Sequence, residues 1–399
     1  MFIPASFEDQ LAQQREDRLR VLVAGAGPAG LSFAQLLRDK GLNPVLIERT
    51  AGLGEAGYML ALMPLVERVI RDLGVTQAYR AASVPFHHYV LHGRHGQRLR
   101  SYEIDTLLSA TGEYRGLARG ALLEVLTGTG APISHRTVLT AIRQHGTAAD
   151  VTVESEGKAI DATFDAVIIA EGLHSASRAL VLSPEQTTVY DTGWAGWVVW
   201  MDSDADHVDR ADEIWGDGFF VGVYPVMGRA GVFVGGDRAE MCAGPAAFVA
   251  AIRRDLPRLD PWLDAALARV AVARDPYYWQ LTDCRAASWA IGRVGLLGDA
   301  AAGFLPTAGI GAAMAIESAG VLAGMLTGVP RQSVPDALRD YERRQRPRVE
   351  AAQDSSRQLA RLMFRRNAAL AMIRDLAVRA IPLGVVLKPI RKLLDEAPA

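Results

Sequence analysis

LRVLVAGAGPAG, residues 19–30, is the stretch on which the fold turns. Leu19–Ala24 is an apolar run of strand length, and Gly25-Ala26-Gly27-Pro28-Ala29-Gly30 follows it directly. The next residues, Leu31-Ser32-Phe33-Ala34-Gln35-Leu36-Leu37, are apolar at helical spacing. Gly41 stands where a helix C-cap is expected, and Pro44–Glu48 reads as a second strand. Strand, turn, helix and strand span about 30 residues, the length of a βαβ unit. Glycines in a GxGxxG turn allow a tight bend, close approach of backbone to a pyrophosphate, and close packing of helix on strand. The helix N-terminus then presents free N–H groups and its positive dipole end to the phosphates. Glu48 ends the second strand, where a carboxylate can accept hydrogen bonds from a ribose. A lone glycine turn is weak evidence, but these four parts in register predict a dinucleotide site rather than a merely structural bend.

Working outward, the bulk numbers fit a globular enzyme of two or three structural units. The chain has 399 residues, 50% of them hydrophobic and 22% charged, with a net charge of −2. Nothing there predicts a nucleic-acid partner. Cys242 and Cys284 cannot form a disulfide framework, and neither belongs to a metal-ligand pair, so the expectation is a reducing cytoplasm and no metal. Residues 1–18 read as a polar leader without the apolar core of a secretory signal. The richest apolar stretch, Val294–Met325, contains Asp299, Pro306 and several glycines, which predicts buried loop and helix rather than a membrane span.

Phe164–Ala170 (FDAVIIA) reads as a strand buried on both faces, and Val151–Glu154 alternates like part of a hairpin. Between Tyr190 and Gly236 the chain becomes rich in aromatic and β-branched residues separated by Gly and Pro, predicting a second, mostly antiparallel sheet. From Ala337 onward helix formers dominate, with Pro347, Pro382 and Pro389 as expected breaks. Lys and Arg outnumber Asp and Glu two to one from Arg339 to the end. Three readings of that basic tail stay open: solvated helices packed on the first domain, a membrane-surface contact through Ile381–Leu394, or an oligomer contact.

Two further motifs follow buried strands. One is Glu171-Gly172-Leu173-His174-Ser175-Ala176-Ser177-Arg178. The other is Gly298-Asp299-Ala300-Ala301-Ala302-Gly303-Phe304-Leu305-Pro306-Thr307-Ala308-Gly309-Ile310-Gly311. With the glycine turn, in this order and spacing, they resemble the group A flavoprotein monooxygenases of the para-hydroxybenzoate hydroxylase type. That family shows GxGxxG, then DGxxSxxR, then GDAxHxxxPxxGxG, and the resemblance covers roughly residues 19–350. It implies an α/β fold with a discontinuous FAD-binding Rossmann-like domain over 19–80, 101–182 and 285–330. An inserted, mostly antiparallel substrate sheet would take 81–100 and 183–284, and C-terminal helices 331–399.

The resemblance also implies roles. Gly25, Gly27, Ala29 and Gly30 would form the pyrophosphate turn, Glu48 would bind the adenosine ribose, and Arg49, Arg119 and Glu171 would join the cofactor set. Gly298 and Asp299 would reach the ribityl or pyrophosphate part, and Pro306 would line the reactive face of the flavin. Gly309, Ile310 and Gly311 would lie at its pyrimidine edge, where a helix N-terminus suits the negative charge of reduced flavin. Three positions depart from the family pattern: Glu171 replaces Asp, Ala302 replaces His, and Glu317-Ser318 replaces Asp-Ala.

The implied chemistry is reduction of FAD by NADPH or NADH, formation of a C4a-hydroperoxide with O₂, and oxygen transfer to an apolar small molecule, aromatic or polyketide-like. No second GxGxxG is present, so NAD(P)H would bind transiently. Trp194, Trp200, Phe220 and Tyr224 are candidate substrate contacts, and each has a core-packing alternative. Tyr224-Pro225 is the strongest of these, because it resembles a Tyr-Pro step in the family's substrate sheet. His87, His88, His92 and His95 read as a solvated hairpin rather than a metal site. A general base is not evident, and the oligomeric state stays open. The main rival is a reductase or dehydrogenase on the same fold. A flavin-dependent halogenase is disfavoured, because no Trp-x-Trp-x-Ile-Pro segment exists and no lysine falls between positions 41 and 157. A flavin-binding protein without turnover is a third reading, supported only by Ala302.

Overall fold

The computed structural model describes residues 2–52, 57–104, 112–364, 366–380 and 388–396. A five-stranded sheet forms its centre, in the order Ala290–Ile291, Val294–Leu296, Ala166–Ile169, Val21–Ala24, Val45–Ile47. The last four run parallel, and nearly every side chain on them is buried, as in a sheet covered on both faces. Neighbouring parallel strands align their carboxyl ends. Ala24, Ile169 and Leu296 therefore deliver the three motifs side by side along one edge, with Ile47 delivering Glu48 beside them. The helices Pro28–Arg38 and Gly311–Leu326 pack against each other over this sheet.

Residues 1–18 were expected to be a polar leader, and here the structure differs. Phe2–Pro4 pairs with Ala131–Ile133, and Phe7–Gln14 is a helix capped by Ser6. Phe7 is fully buried, and Gln10 and Gln14 donate to the backbone carbonyls of Leu46 and Val21. Glutamines that look solvated in the sequence instead satisfy polar groups along the sheet.

The second sheet has eight strands, in the order Ala302–Gly303, Tyr277–Ala286, Thr187–Asp202, Arg229–Asp237, Phe219–Val226, Arg210–Trp215, His88–His92, Arg98–Glu103. All neighbours are antiparallel except Arg210–Trp215 with His88–His92. Its side chains divide by the period of two. Trp197, Phe219, Val221 and Val223 pack under the helices Pro245–Arg253 and Pro261–Ala271, whereas Trp194, Val198 and Phe220 face the other way. The hairpin at His87–His95 is present, but His92 is not solvated. Its Nε2 lies 3.0 Å from the buried Asp212, which Arg210 also holds.

Pro347 does not break the C-terminal helix, which runs unbroken from Val334 to Met363. The lost backbone bond is outweighed by burial of Leu338, Tyr341, Val349 and Ala352 along one face. This helix also explains the departure at Glu317. Arg348 makes a two-pronged pair with it at 2.8 and 3.0 Å, and Gln345 donates to both Glu317 and Ser318. The pair is nearly enclosed, with side-chain exposures of 11% and 6%. Arg348→Ala should therefore strand a buried carboxylate and cost about 3–5 kcal/mol in urea denaturation. An unchanged midpoint would refute this role. Arg348 also donates to the carbonyl of Leu393 in the helix Lys388–Asp395. Ile381–Leu394 lies partly outside the described residues. Within it, Leu393 and Leu394 pack inward against the main core. No helix among the described residues is long and apolar enough to cross a membrane.

Candidate functional site

Between the carboxyl edge of the parallel sheet and the inner face of the eight-stranded sheet lies a cavity of about 760 Å³. Gly25, Gly27, Ala29, Glu48, Arg49, Arg119, Glu171, Asp299, Pro306, Gly309, Ile310 and Gly311 all line it. Gly30 and Gly298 stand behind the wall and act through packing. A Cβ on Gly30 would come within 2.0 Å of the Gly25 carbonyl oxygen, and one on Gly298 within 2.8 Å of Ala29 Cβ. Gly27 is the opposite case. Its missing Cβ would meet no atom within 4 Å, so the turn leaves open space in front of the helix Pro28–Arg38. Neither that helix nor Gly311–Leu326 has a side-chain N-cap, so both direct unpaired N–H groups at the cavity.

The carboxylates along this edge are held differently. Glu48 accepts from the Ala26 amide at 3.0 Å and from Thr50, which fixes it beside the glycine turn. Glu171 is occupied by its own loop, accepting from the Ser175 hydroxyl and from both the amide and hydroxyl of Ser177. Arg178 ties that loop to the third motif through the carbonyls of Leu173 and Ala300. Asp299 accepts no side-chain hydrogen bond among the described residues. Desolvation by the surrounding protein pushes its carboxyl up to about 6. Ala302 sits in the sheet edge paired with Arg285, and its short side chain does not line the cavity.

These features fit FAD. The open side of Gly27 suits a pyrophosphate, and an unpaired carboxylate at Asp299 suits the hydroxyl donors of a ribityl chain. Tyr58 also lines the cavity, its ring tilted by about 40° against Trp279 at 4.7 Å and Tyr277 at 5.3 Å, with Arg119 beside it. Burial pushes the Tyr58 hydroxyl up to about 12.

The opposite wall is aromatic. Phe220 and Tyr224 line it, whereas Trp194 and Trp200 do not. Trp194 stacks beneath Phe364, with ring centroids 4.3 Å apart, and Phe364 takes the wall position. Trp200 donates its indole N–H to the Gly57 carbonyl and lies under the Arg229 guanidinium. Both tryptophans are on the cavity-facing side of the strand but too far along it.

The wall also holds residues the motifs do not mark: Tyr114 and, above all, Glu213. Glu213 Oε1 accepts from the Tyr224 hydroxyl at 2.6 Å, and Oε2 accepts from Trp215 Nε1 at 2.8 Å and from the Tyr89 hydroxyl. Burial raises the Glu213 carboxyl above its ordinary value, against the pull of those three donors. Burial and the adjacent carboxylate hold both tyrosines well above theirs, so they keep their protons and donate. A sequence signal existed: with a tight turn at Gly216–Gly218, Glu213 and Tyr224 fall on one face of the hairpin.

Comparison with known proteins agrees with this geometry. A profile of the FAD binding domain family matches residues 18–356. The chain is 26% identical over 359 residues to the FAD-dependent monooxygenase atnJ of Arthrinium sp, covering 84% of this chain and 82% of that protein. It is 30% identical over 367 residues to 3-amino-4-hydroxybenzoate 2-monooxygenase of Streptomyces cremeus, covering 86% and 87%. In fold it matches Klebsiella pneumoniae HpxO, solved with FAD and uric acid, at a TM-score of 0.85 and 22% identity over 97% of this chain and 99% of that one.

Proposed function

The chain belongs to the FAD binding domain family as a group A flavin monooxygenase, and from that premise we propose that it uses NADPH or NADH and O₂ to oxygenate an apolar, aromatic small molecule. The observation that carries the reading is the single cavity with two unlike walls. One wall is a polar edge with a glycine turn, an unpaired carboxylate and two uncapped helix N-termini. The other is an aromatic sheet face closed by Phe364 and Met363. The relatives named above support a ring-shaped substrate, since one is named for an aminohydroxybenzoate and a fold neighbour was solved with uric acid.

Bound FAD would supply the redox chemistry, taking hydride from the nicotinamide and activating O₂. The chain's own residues do the rest. Gly27 admits the pyrophosphate, Glu48 and Asp299 accept from hydroxyls of the ribose and ribityl chain, and Arg49 and Arg119 add positive charge along the same edge. The first turn of Gly311–Leu326 offers backbone N–H groups to negative charge on the flavin ring. Thr307 holds the Pro306 loop to Ser356 at 2.9 Å, which keeps Pro306 fixed between the two walls. Phe220, Phe233, Val198 and Leu305 keep the substrate end dry.

The test is a screen of aromatic compounds for accelerated NADPH oxidation with matching O₂ uptake and an oxygenated product. Flavin reduction and substrate turnover with no oxygen incorporated would replace this reading with that of a reductase.

A further inference from the structure

Glu213 is a buried carboxylate in the substrate wall with no counter-cation among the described residues. It is 6% exposed, and none of the ion pairs among the described residues involves it. Its three partners are neutral donors. The nearest charged cluster, Asp212 with Arg210 and His92, stands on the opposite face of the same strand and is closed on itself. A lone carboxylate so placed is costly to keep charged unless a cation from outside completes it; without one, burial favours its neutral, protonated form.

The arrangement is built for Tyr224 to reach this acid. Gly222 is the residue directly opposite Glu213 across the strand pair. A Cβ at Gly222 would lie 2.6 Å from Tyr224 Cε2 and 2.7 Å from its hydroxyl oxygen. The glycine is what lets the ring fold back over its own strand and place its hydroxyl on Glu213. Tyr224 donates its one proton there, which leaves oxygen lone pairs on Tyr224 and on Glu213 Oε1 as acceptors in the cavity. Tyr114 adds one further hydroxyl to this end, so the acceptors on offer are the lone pairs of Tyr224 and Glu213, with no cation paired to either among the described residues.

We propose that Glu213 and Tyr224 form a recognition site for a basic nitrogen on the substrate's aromatic frame, and that the same site discriminates against carboxylate-bearing compounds of equal size. This rests on the proposed function for the identity of the wall as the substrate end. It adds a substrate class, ring compounds carrying a basic alkylamine, that the motifs do not carry.

Two matched probes test it: tryptamine and indole-3-acetate, with the same ring and opposite side-chain charge, titrated into the purified full chain at pH 7 by calorimetry. Wild type should bind tryptamine at least about tenfold more tightly. Glu213→Gln, which keeps shape and removes the charge, should bring the two affinities within about threefold of each other. A role for Glu213 in shaping the wall alone would weaken both probes together and leave the ratio unchanged. Equal affinities in wild type, no tryptamine binding, or an unchanged ratio in a folded Glu213→Gln protein would each overturn the proposal. Calorimetry reads binding with or without flavin, so a colourless protein would count against the cofactor reading while the affinity ratio still decides this one.

Discussion

Gly27→Val is expected to yield a folded protein that purifies without flavin. Its φ of −71° suits any residue, and no protein atom stands within 4 Å of the added Cβ, so folding should be undisturbed. The branched side chain would instead fill the space that a pyrophosphate must enter, ahead of the free N–H groups of Pro28–Arg38. FAD affinity should fall by more than about 100-fold, with the melting temperature of the apo-protein within a few degrees of wild type. Gly30→Val makes the contrast. Its side chain would collide with the Gly25 carbonyl, so this variant should fail to accumulate as folded protein at all. Flavin content and circular dichroism on the two variants separate the roles, and a yellow Gly27→Val protein would contradict the placement of the pyrophosphate.

Asp299→Ala should also purify colourless, and the wild type should show why through pH. Desolvation holds the Asp299 carboxyl at about 6 in the protein alone. Hydroxyl donors from a ribityl chain favour the charged form, so binding FAD lowers that value and releases a proton. FAD affinity is therefore full above about pH 6 and falls as pH drops through it, by up to about tenfold per unit. Equilibrium titration of the apo-protein with FAD between pH 5 and 8 measures this. The slope should vanish in any Asp299→Ala protein that still binds weakly. A pH-independent affinity in wild type would remove Asp299 from the site.

The cofactor half of the cavity was legible in the sequence, because its signals are local. A glycine turn between a buried strand and a helix has one geometry; the strand Val45–Ile47 lies inside the range read from the sequence, and the helix Pro28–Arg38 contains the marked Leu31–Leu37 but starts within the turn itself. That Glu171 and Asp299 stand beside it depends on which strands are neighbours, and that came from the family resemblance. The substrate half was only partly legible. Phe220 and Tyr224 are on the wall, but Trp194 and Trp200 share the correct face and are displaced along the strand. Periodicity gives the face of a strand and not the distance along it. Glu213 was missed because its importance lies in what surrounds it: Gly222 opposite, two tyrosines and a tryptophan donating, and no cation among the described residues. Pro347 misled for a related reason. A local rule against proline inside a helix yielded to the burial of one whole face of Val334–Met363. The change at 317 is structural, since Glu317 is paired with Arg348, and the change at 302 falls in a sheet edge.

The most direct test of the central claim is the identity and stoichiometry of the chromophore in the purified full chain, by absorption spectrum and mass of the compound released on heating. The expected result is one FAD per chain, released intact and absent from Gly27→Val. A protein that binds no flavin when FAD is added, or carries only FMN, would contradict it.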